Sequence, residues 1–321
     1  MLSCAGGVGG QTALRLLREA GTCPRVVAID ADEMSYARLL ADNYVIVGHP
    51  VSSPEYQIEL LQVVDREDVT AAISCYSGEL SVYAAIADEL DIRGVRRPGV
   101  PLAAVHALSD KRRLYELLSN AGLPVPAFST PDSIGRGGVL DASVVKLRDG
   151  SGSRGLFRLA VGDELPRAVL DSPSSYIVQS AARGEEISLD GVVLSDGRVC
   201  GPIARRRLRV RGGLAIVGES LDLGAAADEI FSKIVALLQV TGPLNVQGFL
   251  EGGKLIGVTD VNARFPAGGM ALTAALGLNM PALVASDLLF GPASVESPQI
   301  RYKRVRHYRY YDDAVIPLDL M

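Results

Sequence analysis

The chain has 321 residues, too many for one ordinary core, so two or three lobes are expected. Apolar residues make up 48% of it, ample for those cores, yet no run approaches the roughly eighteen uncharged apolar residues of a membrane span. A formal net charge of −5 argues against a general nucleic-acid binder, and three histidines argue against both a His-rich metal site and a Ser-His-Asp triad.

The opening "MLSCAGGVGG" carries no basic segment and runs straight into a glycine loop, so a signal peptide is not expected. Through the first hundred residues short apolar strands ("MLSCA", "RVVAID", "YVIVG", "TAAISC") alternate with stretches of helical period ("QTALRLLREAG", "EMSYARLLAD", "PEYQIELLQVVD", "ELSVYAAIADEL"). Such alternation implies an open parallel sheet covered on both faces. "GVRRPGVP" (94–101) reads as a linker. A helix then starts in "SDKRRLYELLSNAGLPVP", with Ser109 as its N-cap and Gly122 and Pro124 as its stop. Strands near 143–148 and 155–159 flank "RDGSGSRG", followed by a helix at about 163–171 and the strand "SYIVQ". The remainder is mostly strands: "EEISLDGVVL", "RVCGPIARRRLRV" and "GLAIVGESLDL". One amphipathic helix at 224–240 presents Ile230, Ile234, Leu237 and Leu238 on one face, and a hairpin turns at Glu251-Gly252-Gly253. Cys4, Cys23, Cys75 and Cys200 are scattered without a CxxC pair, which fits reduced, mostly buried thiols and a cytoplasmic setting.

Chemistry concentrates in a few places. Asp260 and Asn262 are two apart on a strand, so they share a face, and Arg264 continues it. An acid, an amide oxygen and a guanidinium in that order suit Mg²⁺ with phosphate. The hairpin could set Gln247 opposite Asp260. The competing reading is the polar face of a half-exposed strand. Gln179 and Glu186 lie seven apart across a small-residue connection that could offer backbone groups to a purine and a carboxylate to a ribose, or be a solvated acidic turn. The Gly/Ser run at 150–155, with Arg154 in it and Lys146 on the strand before it, can turn backbone N–H groups toward an anion, or be a mobile hairpin tip.

Taken in order, Lys111, Lys146, "KLRDGSGSRG", Gln179, Glu186 and "NVQGFLEGGKLIGVTDVNARFPAGG" resemble the ATP-grasp superfamily, nearest to its carbamoyl-phosphate-synthetase-like carboxylate–amine ligase branch, over about residues 1–310. The resemblance implies an α/β fold, α+β in the ATP-clamping lobes. A Rossmann-like N-terminal lobe (1–105) would precede a small central lobe (106–182) and a C-terminal lobe carrying the metal site (183–321). It implies that Lys111, Lys146 and the loop residues Ser151, Gly152 and Ser153 contact ATP phosphates, with Arg154 as the charged tip of a closing loop. Gln179 would face the adenine, Ala181 would supply a backbone hydrogen bond, and Glu186 would bind the ribose. Gln247, Asp260 and Asn262 would hold two Mg²⁺ ions, which Mn²⁺ could replace, and Arg264 would steady the transferring phosphoryl group. The activity implied is a ligase that makes an acyl phosphate and joins it to an amine, or to a thiol, in a dedicated biosynthetic pathway. A homodimer is a family-level expectation. Asp260 departs from the family's commoner glutamate, and Gln247 from an acid found in many members.

Two other readings stand beside this one. "AGGVGG" with Asp30 hints at an NAD(P)-dependent oxidoreductase, although Thr12 occupies the third glycine position of the fingerprint. A non-catalytic ATP-binding sensor is the other, opposed by the intact Asp260, Asn262 and Arg264. Of the two basic runs, "RYKRVRHYRYY" (301–311) reads as a charged edge strand, and "RRRLRVR" (205–211) lies where the resemblance puts the acceptor side of the cleft. Arg205, Arg207, Gly268 and Gly269 are the candidate substrate residues.

Overall fold

The computed structural model describes residues 1–134, 138–139, 141–150, 155–310 and 312–315. Its first segment runs β1 (Leu2–Ser3), α1 (Val8–Ala20), β2 (Val27–Asp30), β3 (Asn43–Ile46), α2 (Pro54–Arg66), β4 (Ile73–Ser74), α3 (Leu80–Ala85) and α4 (Ala87–Ile92). The strands form a parallel sheet in the order β3-β2-β1-β4. Each face is covered: Leu14 and Leu17 of α1 belong to one buried cluster, Tyr56, Leu60 and Val63 of α2 to another. The helix expected in "EMSYARLLAD" shrinks to a 3₁₀ turn at Tyr36–Leu39. Asp32 and Ser35 side chains accept from the backbone N–H groups of Met34 and Ala37, and such local bonds compete with a helix. "ELSVYAAIADEL" breaks into α3 and α4 at Ile86.

The second segment opens, directly after the linker, with a helix the sequence reading did not include, α5 (Leu102–Leu108), and continues through α6 (Lys111–Asn120). The N-cap of α6 is Asp110, not Ser109, which closes α5; the Asp110 carboxylate accepts from the N–H groups of Arg112 and Arg113. Strands β5 (Phe128–Ser129), β6 (Ser143–Leu147), β7 (Phe157–Leu159) and β8 (Tyr176–Ser180) form an antiparallel sheet in the order β5-β8-β6-β7. The helix expected at 163–171 is the single turn α7 (Arg167–Leu170), because Pro166 has no N–H and starts it late.

The third segment contains β9 (Glu185–Val193), β10 (Val199–Arg211), β11 (Leu214–Leu221), α8 (Ala225–Leu238), β12 (Gly242–Glu251), β13 (Lys254–Asn262), α9 (Met270–Ala275), α10 (Met280–Phe290) and β14 (Arg306–Tyr308). Its antiparallel sheet has the order β13-β12-β9-β10-β11-β14. Phe231, Ile234 and Leu238 of α8 fill one core with Leu189, Leu244, Val246 and, from α6, Leu114, Tyr115 and Leu118. Each such side chain, once fully buried, contributes on the order of 2 kcal/mol. A separate core joins α1 to α9 and α10 through Leu14, Leu17, Leu272, Met280 and Val284, so the first segment is seated on the third. Glu251 pairs with Lys254, leaving a two-residue turn whose Gly252 and Gly253 both have positive φ (57° and 78°), as a tight hairpin requires.

Candidate functional site

That turn fixes the register of β12 against β13, and register decides which side chains share a face. Gln247 pairs with Asp260, and Asn245 with Asn262. On the other edge of β12, Gln247 pairs with Ser188 and Asn245 with Asp190 of β9. Ser188 pairs in turn with Arg205 of β10. One row therefore runs Asp260, Gln247, Ser188, Arg205 across four strands, with Asn262, Asn245 and Asp190 beside it. These side chains form the polar face of the six-stranded sheet.

A chain of buried hydrogen bonds orients them. Asp190 and Arg205 are both almost fully buried and form an ion pair, with Arg205 Nε donating to Asp190 Oδ2 at 2.5 Å. The other Asp190 oxygen accepts from Asn245 Nδ2 at 2.6 Å. A carboxylate accepts only, so Asn245 must turn its NH₂ to Asp190 and its oxygen away. That oxygen accepts from Gln247 Nε2 at 2.9 Å and Asn262 Nδ2 at 3.3 Å. Both amide nitrogens are thereby committed, which leaves the amide oxygens of Gln247 and Asn262 as acceptors on the face that carries Asp260. The Asp260 carboxylate has no hydrogen bond or ion pair among the described residues. The result is three hard oxygen groups and one formal negative charge, a donor set that fits Mg²⁺ shared with phosphate better than a dedicated cage. Among the described residues no group of three or more His, Cys, Asp or Glu could hold a metal.

Cations stand around this face. Lys146 of β6 donates from Nζ to Tyr115 Oη at 2.8 Å and lies 3.4 Å from the Thr259 carbonyl of β13. Burial brings its amine down to about 8, against the opposing pull of Asp260 and with a further push from Lys111. Lys111 Nζ donates to the Gly150 carbonyl at 2.5 Å, at the root of the glycine loop. The loop residues Ser151, Gly152, Ser153 and Arg154 lie outside the described residues. Arg264 follows β13; its Nε donates to Ser77 Oγ at 2.9 Å, and Ser77 Oγ donates to Asn262 Oδ1 at 3.3 Å. Burial lowers the Arg264 guanidinium, opposed by Asp260.

The remaining candidates are placed less simply. Gln179 is buried on β8, and its Oε1 accepts from Tyr115 Oη at 2.7 Å. Ala181 N–H donates to the Ala142 carbonyl, so that donor is taken. Glu186 lies 3.0 Å from Arg207 as an ion pair. Gly268 and Gly269 form the turn before α9, where a Cβ at Gly269 would fall 2.4 Å from Arg205 Nε and one at Gly268 2.9 Å from Ala215 N. Glycine is required there by close approach. The dinucleotide reading loses its anchor. Asp30 accepts from the Gly6 N–H at 2.7 Å and the Asp32 N–H at 3.0 Å, and its carboxyl occupies the space beside Gly6. It serves the glycine loop. Sequence reasoning did not single out Asp190, Asn245, Ser77 or Tyr115. Asn245 alone had a local signal, two residues before Gln247 on the same strand face.

A cavity of about 1010 Å³ lies elsewhere, between residues 94–101 and α10. Its Arg97 is paired with Asp91, and its Asp287 accepts from Ser195. The satisfied charges leave no convergent polar group, so the sheet face is the better site.

Comparison with known proteins bears on the fold and the family. Residues 172–309 match the family described as "ATP-grasp in the biosynthetic pathway with Ter operon", and residues 2–97 match "PylC-like, N-terminal domain". An L-amino acid ligase from Bacillus licheniformis superposes with a TM-score of 0.71 at 17% identity, over 94% of this chain and 76% of that one. A carboxyaminoimidazole ribonucleotide synthase from Aspergillus clavatus, solved with ATP, gives 0.73 at 17% identity, over 94% and 79%. Biotin carboxylase from Campylobacter jejuni gives 0.69 at 17%, over 92% and 73%. At such identities the structures speak for the fold; by the two family matches, residues 172–309 are ATP-grasp and residues 2–97 form a PylC-like N-terminal domain.

Proposed function

We propose that the protein is an ATP-dependent ligase that activates a small-molecule carboxylate and joins it to an amine. The observation that carries this reading is the continuous polar face of the six-stranded sheet. There the oxygens of Gln247, Asp260 and Asn262 share a face, Asp260 acts on the cations Lys146 and Arg264, and Arg205 and Arg207 continue the same face. Oxygen donors beside fixed cations suit a polyphosphate whose terminal group is to be transferred.

In the first step an oxygen of the acceptor carboxylate attacks the γ-phosphorus of ATP. The bond to the bridging oxygen breaks, ADP leaves with that electron pair, and an acyl phosphate forms. In the second, the amine nitrogen attacks the acyl carbon, phosphate leaves with the C–O electron pair, and the amine proton passes to phosphate or solvent. A carboxylate is already ionised at neutral pH, so the first step needs positioning and charge neutralisation more than proton transfer. Lys111 and Lys146 bind the phosphates and Arg264 steadies the transferring group. Ser151, Gly152, Ser153 and Arg154 are the further candidates for phosphate contacts. Gln179 and Ala181 border the adenine, and Glu186, shared with Arg207, reaches the ribose. Gln247, Asp260 and Asn262 would hold Mg²⁺, which when bound neutralises phosphate charge. Arg205, Arg207, Gly268 and Gly269 line the acceptor side. The segments 1–105, 106–182 and 183–321 act as acceptor lobe and the two halves of the ATP clamp.

Mixing the protein with Mg·ATP and a panel of amino acids and small carboxylates tests the reading by ADP release. Asp260→Ala and Asn262→Ala should each reduce ADP release about a hundredfold or more, the scale of a lost charge-stabilising group. Undiminished release would remove the metal assignment.

A further inference from the structure

The sheet from β9 to β14 holds buried polar groups with nothing to bond among the described residues. Arg205 Nη1, Arg207 Nε, Ser188 Oγ, His307 Nδ1 and Arg309 Nε are all inaccessible to solvent and lack a hydrogen-bond partner among the described residues. Arg205 and Arg207 are more than nine-tenths buried. Arg207 Nε lies 3.0 Å from Glu186 Oε1, yet its N–H forms no hydrogen bond there. Leaving such groups unmatched is costly, and five in one place need a common explanation.

They are one place. Arg207 pairs across β10 and β11 with Gly218, and Gly218 across β11 and β14 with His307. Arg309 extends that pairing, its N–H donating to the Ile216 carbonyl and its Nη2 to the Ala267 carbonyl. Ala267 also meets Gly9, in the first turn of α1, whose N-cap Gly7 has no capping side chain. The turn 267–269 bears no side chain larger than methyl and packs directly on Arg205. The local charge is unbalanced. Asp190 and Glu186 each answer one arginine, while Arg309 has no acidic partner among the described residues. Burial, then Arg309, Arg205 and Arg15, bring His307 down to about 4, so its ring is neutral at physiological pH.

We propose that Arg309, His307 and Arg207 bind a second oxyanion of the acceptor substrate, a carboxylate or phosphate distinct from the carboxylate that reacts. This inference rests on the ligase reading and narrows it. β10, with Arg207, is three strand spacings from the strand of Asp260, and β14, with His307, is five, roughly 14 and 24 Å across the sheet. The acceptor is therefore an extended molecule acidic at both ends, and a short monocarboxylate leaves the donors unmatched.

The test is ADP release with Mg·ATP and pairs of acceptors of equal length, one a monoacid, the other a diacid or a phosphorylated acid. Whichever of the last two is preferred identifies the oxyanion. The expected result is a KM lower by about tenfold or more for the doubly acidic member, the worth of a charge-assisted pair. Arg309→Gln should raise that KM by about the same factor, leave kcat and the monoacid unchanged, and be partly rescued in Arg309→Lys. Equal KM values for both members, in the wild type and in Arg309→Gln, would overturn the proposal while leaving the ligase reading intact. Should no acid release ADP, the ligase reading fails and the site is judged by calorimetry with inorganic phosphate, the nucleotide site being filled with a non-hydrolysable Mg·ATP analogue. Phosphate heat abolished in Arg309→Gln supports the site, and heat that is absent or unchanged overturns it.

Discussion

A buried amine that still carries its charge near neutrality is a sensitive probe of what it binds. Burial holds Lys146 at about 8 in the free protein, so it is mostly protonated at neutral pH and loses its charge as pH rises through that value. Phosphates favour the charged form and so raise the amine's value on binding. Affinity for Mg·ATP should therefore weaken as pH climbs past about 8, with proton uptake on binding, and Lys146→Gln should abolish both. Calorimetry in two buffers of different ionisation enthalpy measures it. Asp260, Asn262 and Gln247 were legible in the sequence because period-two spacing and a Gly-Gly turn are local signals. Ser77 and Tyr115 were not. Ser77 meets Asn262 across 185 residues of chain and Tyr115 meets Thr259 across 144, through the packing of segments that no local pattern announces.

At the scale of elements, register does the selecting. β9 lies between β10 and β12 and carries Glu186, Ser188 and Asp190 on one face, so the polar row depends on where β9 begins. Gly184, immediately before it, has φ +89°, and a Cβ there would fall 1.9 Å from the Leu250 carbonyl oxygen. Gly184→Ala should cost at least about 2 kcal/mol, because neither the backbone angle nor that contact tolerates a methyl group. For a chain of this size the loss appears as a Tm lower by about 4 °C or more in a thermal melt. The strands, α1, α2 and α8 followed apolar periodicity that tertiary packing reinforces. The failures at 33–42 and 163–171 arose where side chain–backbone bonds or a proline outweighed that periodicity. The edge position of β14 agreed with its charged pattern. That pattern gave no sign that His307 and Arg309 face inward, where Arg306 pairs outward with Glu219.

For the whole molecule, the first segment is more than a support. Its buried core with α9 and α10 brings Ser77 onto the polar face, where one hydroxyl joins Arg264 to Asn262. Ser77→Ala removes both bonds and little else. ADP release should fall about tenfold, equivalent to about 1.4 kcal/mol, with the melting temperature nearly unchanged. A parallel loss of stability would mean that Ser77 acts in the seating of the segment instead. No helix among the described residues is long and apolar enough to cross a membrane.

The four thiols share a property that reaches beyond the fold. Burial is the first cause in each case: it raises Cys4, Cys23 and Cys200 above the usual thiol range and pushes Cys75 up to about 12. Thiolate is the reactive form, so the native cysteines are poor nucleophiles toward maleimides and iodoacetamide. A cysteine introduced at an exposed position such as Arg183 can therefore be labelled selectively without first removing them. The protein comes ready for fluorescence measurements of how its segments move when nucleotide and acceptor arrive.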